Sequence, residues 1–100
     1  MNPLEKARRK IDRIDGEILE RLNERFRLAL ETCQYKMSLQ DRKREAEVLG
    51  RIRERAAELD CLREDFAAVL YRMIIRESLF LQARQKQRNI SSHSLQEVTK

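Results

Sequence analysis

An apolar stripe at helical spacing runs through the first third of the chain, and two cations interrupt it. Leu4, Ile11 and Ile18 form one heptad row; Ala7, Ile14 and Leu28 form the next; Leu22 and Ala29 lie beside them. Rows at this spacing share one face of a helix, and they predict a single helix from Leu4 to Lys36, closing at about Met37. Continued, the first row reaches Arg25 and the third reaches Lys36. A charge on an inward face is costly unless an opposite charge meets it. The two cations therefore call for an acid within the protein or an anionic ligand.

Arg25 and Lys36 are eleven residues apart in the sequence. On an ideal helix they point within about 20° of each other and lie about 16 Å apart along the axis, close enough to share a ligand. Arg8 also borders the stripe, but about 25 Å from Arg25, too far to join it within one chain. An antiparallel copy of the helix, crossing near Leu19, would set its residue 8 opposite residue 30. A two-fold dimer would then gather three cations around one pocket, twice over. Helix length favours such a dimer. About 34 helical residues span roughly 50 Å, whereas a compact chain of this size has a radius of gyration near 13 Å. The rest of the chain cannot cover so long a helix.

The remaining sequence is equally helical in character. Two glycines and one proline among 100 residues leave little turn chemistry for a sheet, and 39% of residues are charged. Asn2 and Pro3 suit the N-cap and first position of the first helix. A second helix is expected from about Asp41 to Glu58, with Val48, Leu49, Ile52 and Ala56 inward. Ser38 and Asp41 before it resemble a capping box. A third is expected from about Arg63 to Gln87, with Phe66, Val69, Leu70, Met73, Ile74 and Leu81 inward. The chain thus divides into one all-α domain of three helices over residues 1–88 and a polar, disordered tail over residues 89–100.

The formal charge is +5, and a net +3 falls in the last eighteen residues, where Arg84, Lys86, Arg88 and Lys100 face only Glu97. The folded part is only mildly basic. With no aromatic-rich patch and no recognition-helix motif, a nucleic-acid partner is not expected. Cys33 and Cys61 lack metal-ligand spacing and have only His93 to join them, which suits reduced thiols in a cytoplasmic protein. No stretch resembles a secretory signal or a membrane span, so no membrane partner is expected.

More polar groups sit where apolar ones belong. On the second helix Asp41, Arg44 and Glu45 share a face, and Glu45 continues the row of Leu49, Ile52 and Ala56. On the third, Ser78 and Gln82 stand one turn apart beside Leu70 and Ile74. Taken singly, each has a bland explanation as a cap, a rim charge or a solvated face. Taken in order, the segments NPLEKARRKIDRIDGEILERLNERFRLA, Lys36, DRKREAEVL and IIRESLFLQ resemble the all-helical, AroQ-type chorismate mutases over about residues 2–85.

That resemblance implies an intertwined dimer of three-helix chains. It also implies a cofactor-free, metal-free pericyclic rearrangement of the dianion chorismate to prephenate. By the same resemblance Arg8 would enter the partner's site. Arg25 and Arg44 would bind carboxylates, with Ser78 assisting. Lys36 and Gln82 would donate to the ether oxygen whose bond breaks, and Glu45, with the Asp41 region, would hold the ring hydroxyl. Two departures stand out. Only residues 37–40 separate Lys36 from Asp41, where the family commonly has a longer loop, and Thr32 occupies a wall position that is usually aliphatic. They keep open two related activities on the same fold: rearrangement of 4-amino-4-deoxychorismate, and removal of pyruvate from isochorismate. A basic helical dimer that binds nucleic acid is the reading from a different class.

Overall fold

The computed structural model describes residues 2–36 and 38–98, with side chains through residue 90. Three α-helices follow one another: α1 (Pro3–Thr32), α2 (Arg42–Ala57) and α3 (Glu64–Val98). A single 3-10 turn, Cys33–Tyr35, extends α1. No strand occurs among the described residues.

Helices α1 and α2 begin where the sequence supplies a side-chain partner for a free backbone donor. The Asn2 side chain accepts from the Glu5 N–H at 2.8 Å, with Pro3 in the first turn. Asp41 caps α2, its Oδ1 accepting from the Arg44 N–H at 3.0 Å. The expected Ser38–Asp41 capping box does not form. Ser38 donates its hydroxyl to the Gln40 carbonyl instead, and Asp41 is itself the cap. Acidic Glu64 and Asp65 open α3, where the helix dipole favours negative charge.

Helix α1 ends four residues before Lys36, which lies in extended backbone just past the 3-10 turn. The expected continuous helix to Lys36 is thus shortened, and its close at Met37 lies outside the described residues. At the end of α1 the Thr32 hydroxyl donates to the Ala29 carbonyl at 2.8 Å, and the Cys33 N–H donates to Leu30, three residues back rather than four. Side-chain back-bonding and 3-10 tightening are both ways to close a helix. The closure lets the chain reverse into α2 within a few residues.

Helices α2 and α3 form a hairpin. Ala56, Ala67 and Ala68, at 1%, 2% and 0% exposure, lie on either side of the reversal and permit close approach. Arg53 and Asp65 join the two helices at 3.1 Å, an exposed pair of small energetic weight. The inward face of α3 runs through Ala67, Ala68, Ile74, Ser78 and Gln82. Of the residues expected inward, Ile74 is buried and Leu81 half-buried, but Phe66, Val69, Leu70 and Met73 are exposed. The helix thus has a small-residue face toward its own chain and a bulky apolar face turned away from it.

Beyond Gln87 the helical backbone continues through Val98, unlike the irregular tail expected from residue 89. No glycine or proline interrupts residues 88–98, so no strong breaker stops the helix there, although Asn89, Ser91, Ser92 and Ser94 are weak helix formers. The side chains of residues 91–98, and residues 99–100 altogether, lie outside the described residues.

Only the C-terminal half of α1 packs against α3. No residue of α1 is buried, and Leu4, Ile11, Ile14, Ile18, Leu19 and Leu28 are each more than half exposed. The radius of gyration is 18.8 Å, against about 13 Å for a compact chain of this length.

Candidate active site

A cavity of about 300 Å³ opens where the three helices meet the link between α1 and α2. The last two turns of α1 contribute Arg25, Leu28, Ala29 and Thr32. The link contributes Lys36 and Leu39, and the start of α2 contributes Asp41, Arg44, Glu45 and Val48. The middle of α3 contributes Ile75, Ser78, Leu79 and Gln82. Seven of the eight residues singled out in the sequence therefore line one space. The eighth, Arg8, is exposed far along α1 and lines no part of it.

Two of the three cavity cations meet no acid among the described residues. Arg25 is half-buried; its Nη1 donates to the Ser78 hydroxyl at 3.3 Å, and its guanidinium lies 5.7 Å from the centre of the Tyr71 ring. Ser78, 8% exposed, passes its own proton to the Ile74 carbonyl at 3.0 Å. Its oxygen is left to receive Arg25. Neither Arg25 nor Lys36 forms an ion pair among the described residues. Arg44 has only a loose, exposed contact with Glu47 at 3.9 Å.

Lys36 and Gln82 are locked together. The Lys36 ammonium donates to the Leu39 carbonyl and, at 3.1 Å, to Gln82 Oε1. The Gln82 Nε2 donates to the Ala29 carbonyl at 2.6 Å. An ammonium has three donor hydrogens and a primary amide two. Each group thus keeps one hydrogen unused, on side chains facing the same cavity. Gln82 is only 3% exposed, so the solvated-face explanation for it fails, as it does for Ser78.

Glu45 supplies the opposite feature. Its Oε1 is buried and has no hydrogen-bond partner among the described residues. A carboxylate oxygen out of water without a donor is costly, and a ligand hydroxyl or ammonium would relieve it. Asp41 lines the cavity while one of its oxygens caps α2.

Sequence reasoning missed several contributors. Tyr71 lies against Arg25, and the Ala29 and Leu39 carbonyls hold Gln82 and Lys36. Backbone acceptors leave no mark in a sequence. Tyr71 could have been found, since it lies one heptad before Ser78 on α3. Cys33, buried at 3%, donates its thiol weakly to the Gln82 carbonyl at 3.9 Å; Cys61 is exposed, and both thiols are free. No described helix is long and apolar enough to cross a membrane.

Helix α1, the link and α2 thus bring Arg25, Lys36 and Arg44 to one small cavity, where Lys36 and Gln82 each keep a spare donor hydrogen, an arrangement chemically suited to a compact anion. The family model for chorismate mutase type II matches residues 7–83, and the chain belongs to that family of isomerases. No curated protein and no solved structure matches it significantly.

Proposed function

We propose that this protein converts chorismate to prephenate by a cofactor-free Claisen rearrangement, in sites that two copies of the chain complete together. The observation that carries the reading is the Lys36–Gln82 pair, two fixed donors side by side in a cavity ringed by cations. In this reaction one carbon–oxygen bond breaks while one carbon–carbon bond forms within the same molecule. Bond breaking runs ahead, so negative charge grows on the ether oxygen. Donors already oriented toward that oxygen stabilise the transition state more than the ground state.

Each remaining group has a place in this reading. Arg25 and Arg44 hold the substrate carboxylates, with Ser78 fixing the Arg25 guanidinium. The unpartnered Glu45 oxygen accepts from the ring hydroxyl, and Asp41 borders the same end through the start of α2. The apolar walls, Leu28, Val48, Ile75 and Leu79, hold the substrate in its folded, reactive shape. The chemistry asks for no acid, base, nucleophile or metal.

A second copy explains the exposed stripe of α1. A groove of about 770 Å³ runs between α1 and α3, walled by Ile14, Ile18, Leu22, Leu70 and Ile74. An antiparallel α1 crossing near Leu19 fits such a groove and carries Arg8 toward the partner's cavity. The cation count at each site then rises from three to four.

Absorbance loss on mixing pure protein with chorismate tests the reading, with prephenate as the expected product. Thr32 on the cavity wall gives 4-amino-4-deoxychorismate and isochorismate a place as parallel substrates. Turnover of either in preference to chorismate would move the assignment within the same fold. A salt-dependent shift of nucleic acid, with all three substrates untouched, would replace the enzymatic reading with a binding one.

A further inference from the structure

The end of α1 holds an arrangement that the reaction chemistry leaves unexplained. The Ala29 carbonyl receives two side-chain donors, the Thr32 hydroxyl at 2.8 Å and the Gln82 amide at 2.6 Å. In a continuing α-helix that carbonyl would belong to the N–H of Cys33. Here the Cys33 N–H has turned to Leu30, which leaves the Ala29 carbonyl free for side chains.

We infer that Thr32 is a positioning residue for Gln82, acting through the carbonyl of Ala29; the inference rests on the catalytic role proposed for Gln82. A carbonyl oxygen has two lone pairs. Thr32 takes one and thereby closes the helix, so that the Cys33 N–H does not reclaim the acceptor. The other lone pair receives the Gln82 amide.

The Gln82 amide is then clamped at both ends. Its nitrogen is fixed by the Ala29 carbonyl, and its oxygen by the Lys36 ammonium at 3.1 Å. A flipped amide would set its NH2 against the ammonium and its oxygen against the carbonyl, two repulsive contacts. The clamp permits one orientation, the one that leaves a single N–H for the cavity. Without the Thr32 hydroxyl, the Cys33 N–H can return to the Ala29 carbonyl and reshape the last turn of α1, which moves the acceptor that holds the Gln82 amide.

The roles of acceptor and donor also limit what Thr32 can do directly. Its proton is given to Ala29, so toward a ligand its hydroxyl can only accept. That removes it as a donor to the ether oxygen, so its effect on that bond's cleavage runs through Gln82.

Thr32→Val keeps the shape and removes the hydroxyl; Thr32→Ser keeps the hydroxyl. The expected result with chorismate is that Thr32→Val lowers kcat about five- to tenfold, with KM changed less than about twofold, as suits the loss of one orienting hydrogen bond. Thr32→Ser restores kcat. In substrate-free protein, the side-chain amide signals of Gln82, identified by their loss in Gln82→Glu, shift and exchange faster with solvent in Thr32→Val. They stay unchanged in Thr32→Ser. Thr32→Ala repeats the test should the valine disturb folding. An unchanged kcat in Thr32→Val, or an unmoved Gln82 amide signal, overturns the inference. Full activity in Gln82→Ala would instead strike the catalytic reading on which it rests, so the two failures are told apart.

Discussion

At the scale of single residues, the proposed site separates charge that would hold carboxylates from donor hydrogens that would meet the ether oxygen. Arg25 belongs to the first kind. Its neighbours are a hydroxyl and an aromatic face, neither of which neutralises it. Arg25→Ala should therefore cost about 3 kcal/mol of transition-state stabilisation, or two orders of magnitude in kcat/KM. The helical circular dichroism should stay intact, because α1 buries none of its residues in its own chain. Near wild-type turnover in this variant would place the substrate elsewhere. Gln82 belongs to the second kind. In Gln82→Glu a carboxylate oxygen would face the Ala29 carbonyl, where the amide nitrogen now donates at 2.6 Å. Only protonation restores a donor, and an unperturbed glutamate binds its proton near pH 4.3. Activity should rise as pH falls, the reverse of any loss caused by unfolding in acid. It should stay below wild type throughout, since a carboxylic acid has one hydrogen where the amide has two. A pH–rate profile of the variant with the same slope as wild type would remove Gln82 from the chemistry.

At the scale of elements, the helices, their starts and both ends of α2 were legible, but the C-terminal ends of α1 and α3 were not. Heptad rows place α1 correctly because 3.6-residue periodicity survives any packing arrangement. They do not reveal that Thr32 and Cys33 close the helix before Lys36, because back-bonding and a 3-10 turn leave the apolar period untouched. Lys36 reaches the cavity by an extended backbone rather than by helix phase. The Ser78–Gln82 pair was legible as a spacing, but its burial depends on which face of α3 meets α1. Phe66, Val69, Leu70 and Met73 make the wrong face look inward, because hydrophobicity does not tell a chain's own core from an apolar surface that its own chain leaves exposed. Asp41 shows the same overlap of roles, since it both caps α2 and lines the cavity. Asp41→Ala should lower stability by about 1 kcal/mol, as cap removal does, while Asp41→Asn keeps the cap and the stability. Chemical denaturation reads the first effect. Turnover of Asp41→Asn then isolates the charge: a loss there without a change in stability assigns the carboxylate to the substrate.

At the scale of the whole molecule, the fold is thin, 67 × 36 × 15 Å in extent, and the stripe of Leu4, Ile11, Ile14, Ile18 and Leu28 is more than half exposed along its length. Fully burying such side chains stabilises by about 1.5–3 kcal/mol each. Even at half that, two copies of the row supply ample gross driving force for association. If the covering partner is an antiparallel second copy, Arg8 and Arg25 of one chain serve different cavities. Arg8→Ala and Arg25→Ala homodimers should then each be nearly inactive. Unfolded together and refolded, the two variants form mixed dimers. One cavity of a mixed dimer lacks both arginines and the other lacks neither, so each mixed dimer recovers up to one whole site. Random pairing makes half the dimers mixed, and the refolded pool should reach about a quarter of wild-type activity from two nearly silent parents. Native mass measurement counts the mixed species independently of turnover. Confirmed mixed dimers with no gain in activity would confine Arg8 to its own chain, where it lies too far along α1 to reach the cavity.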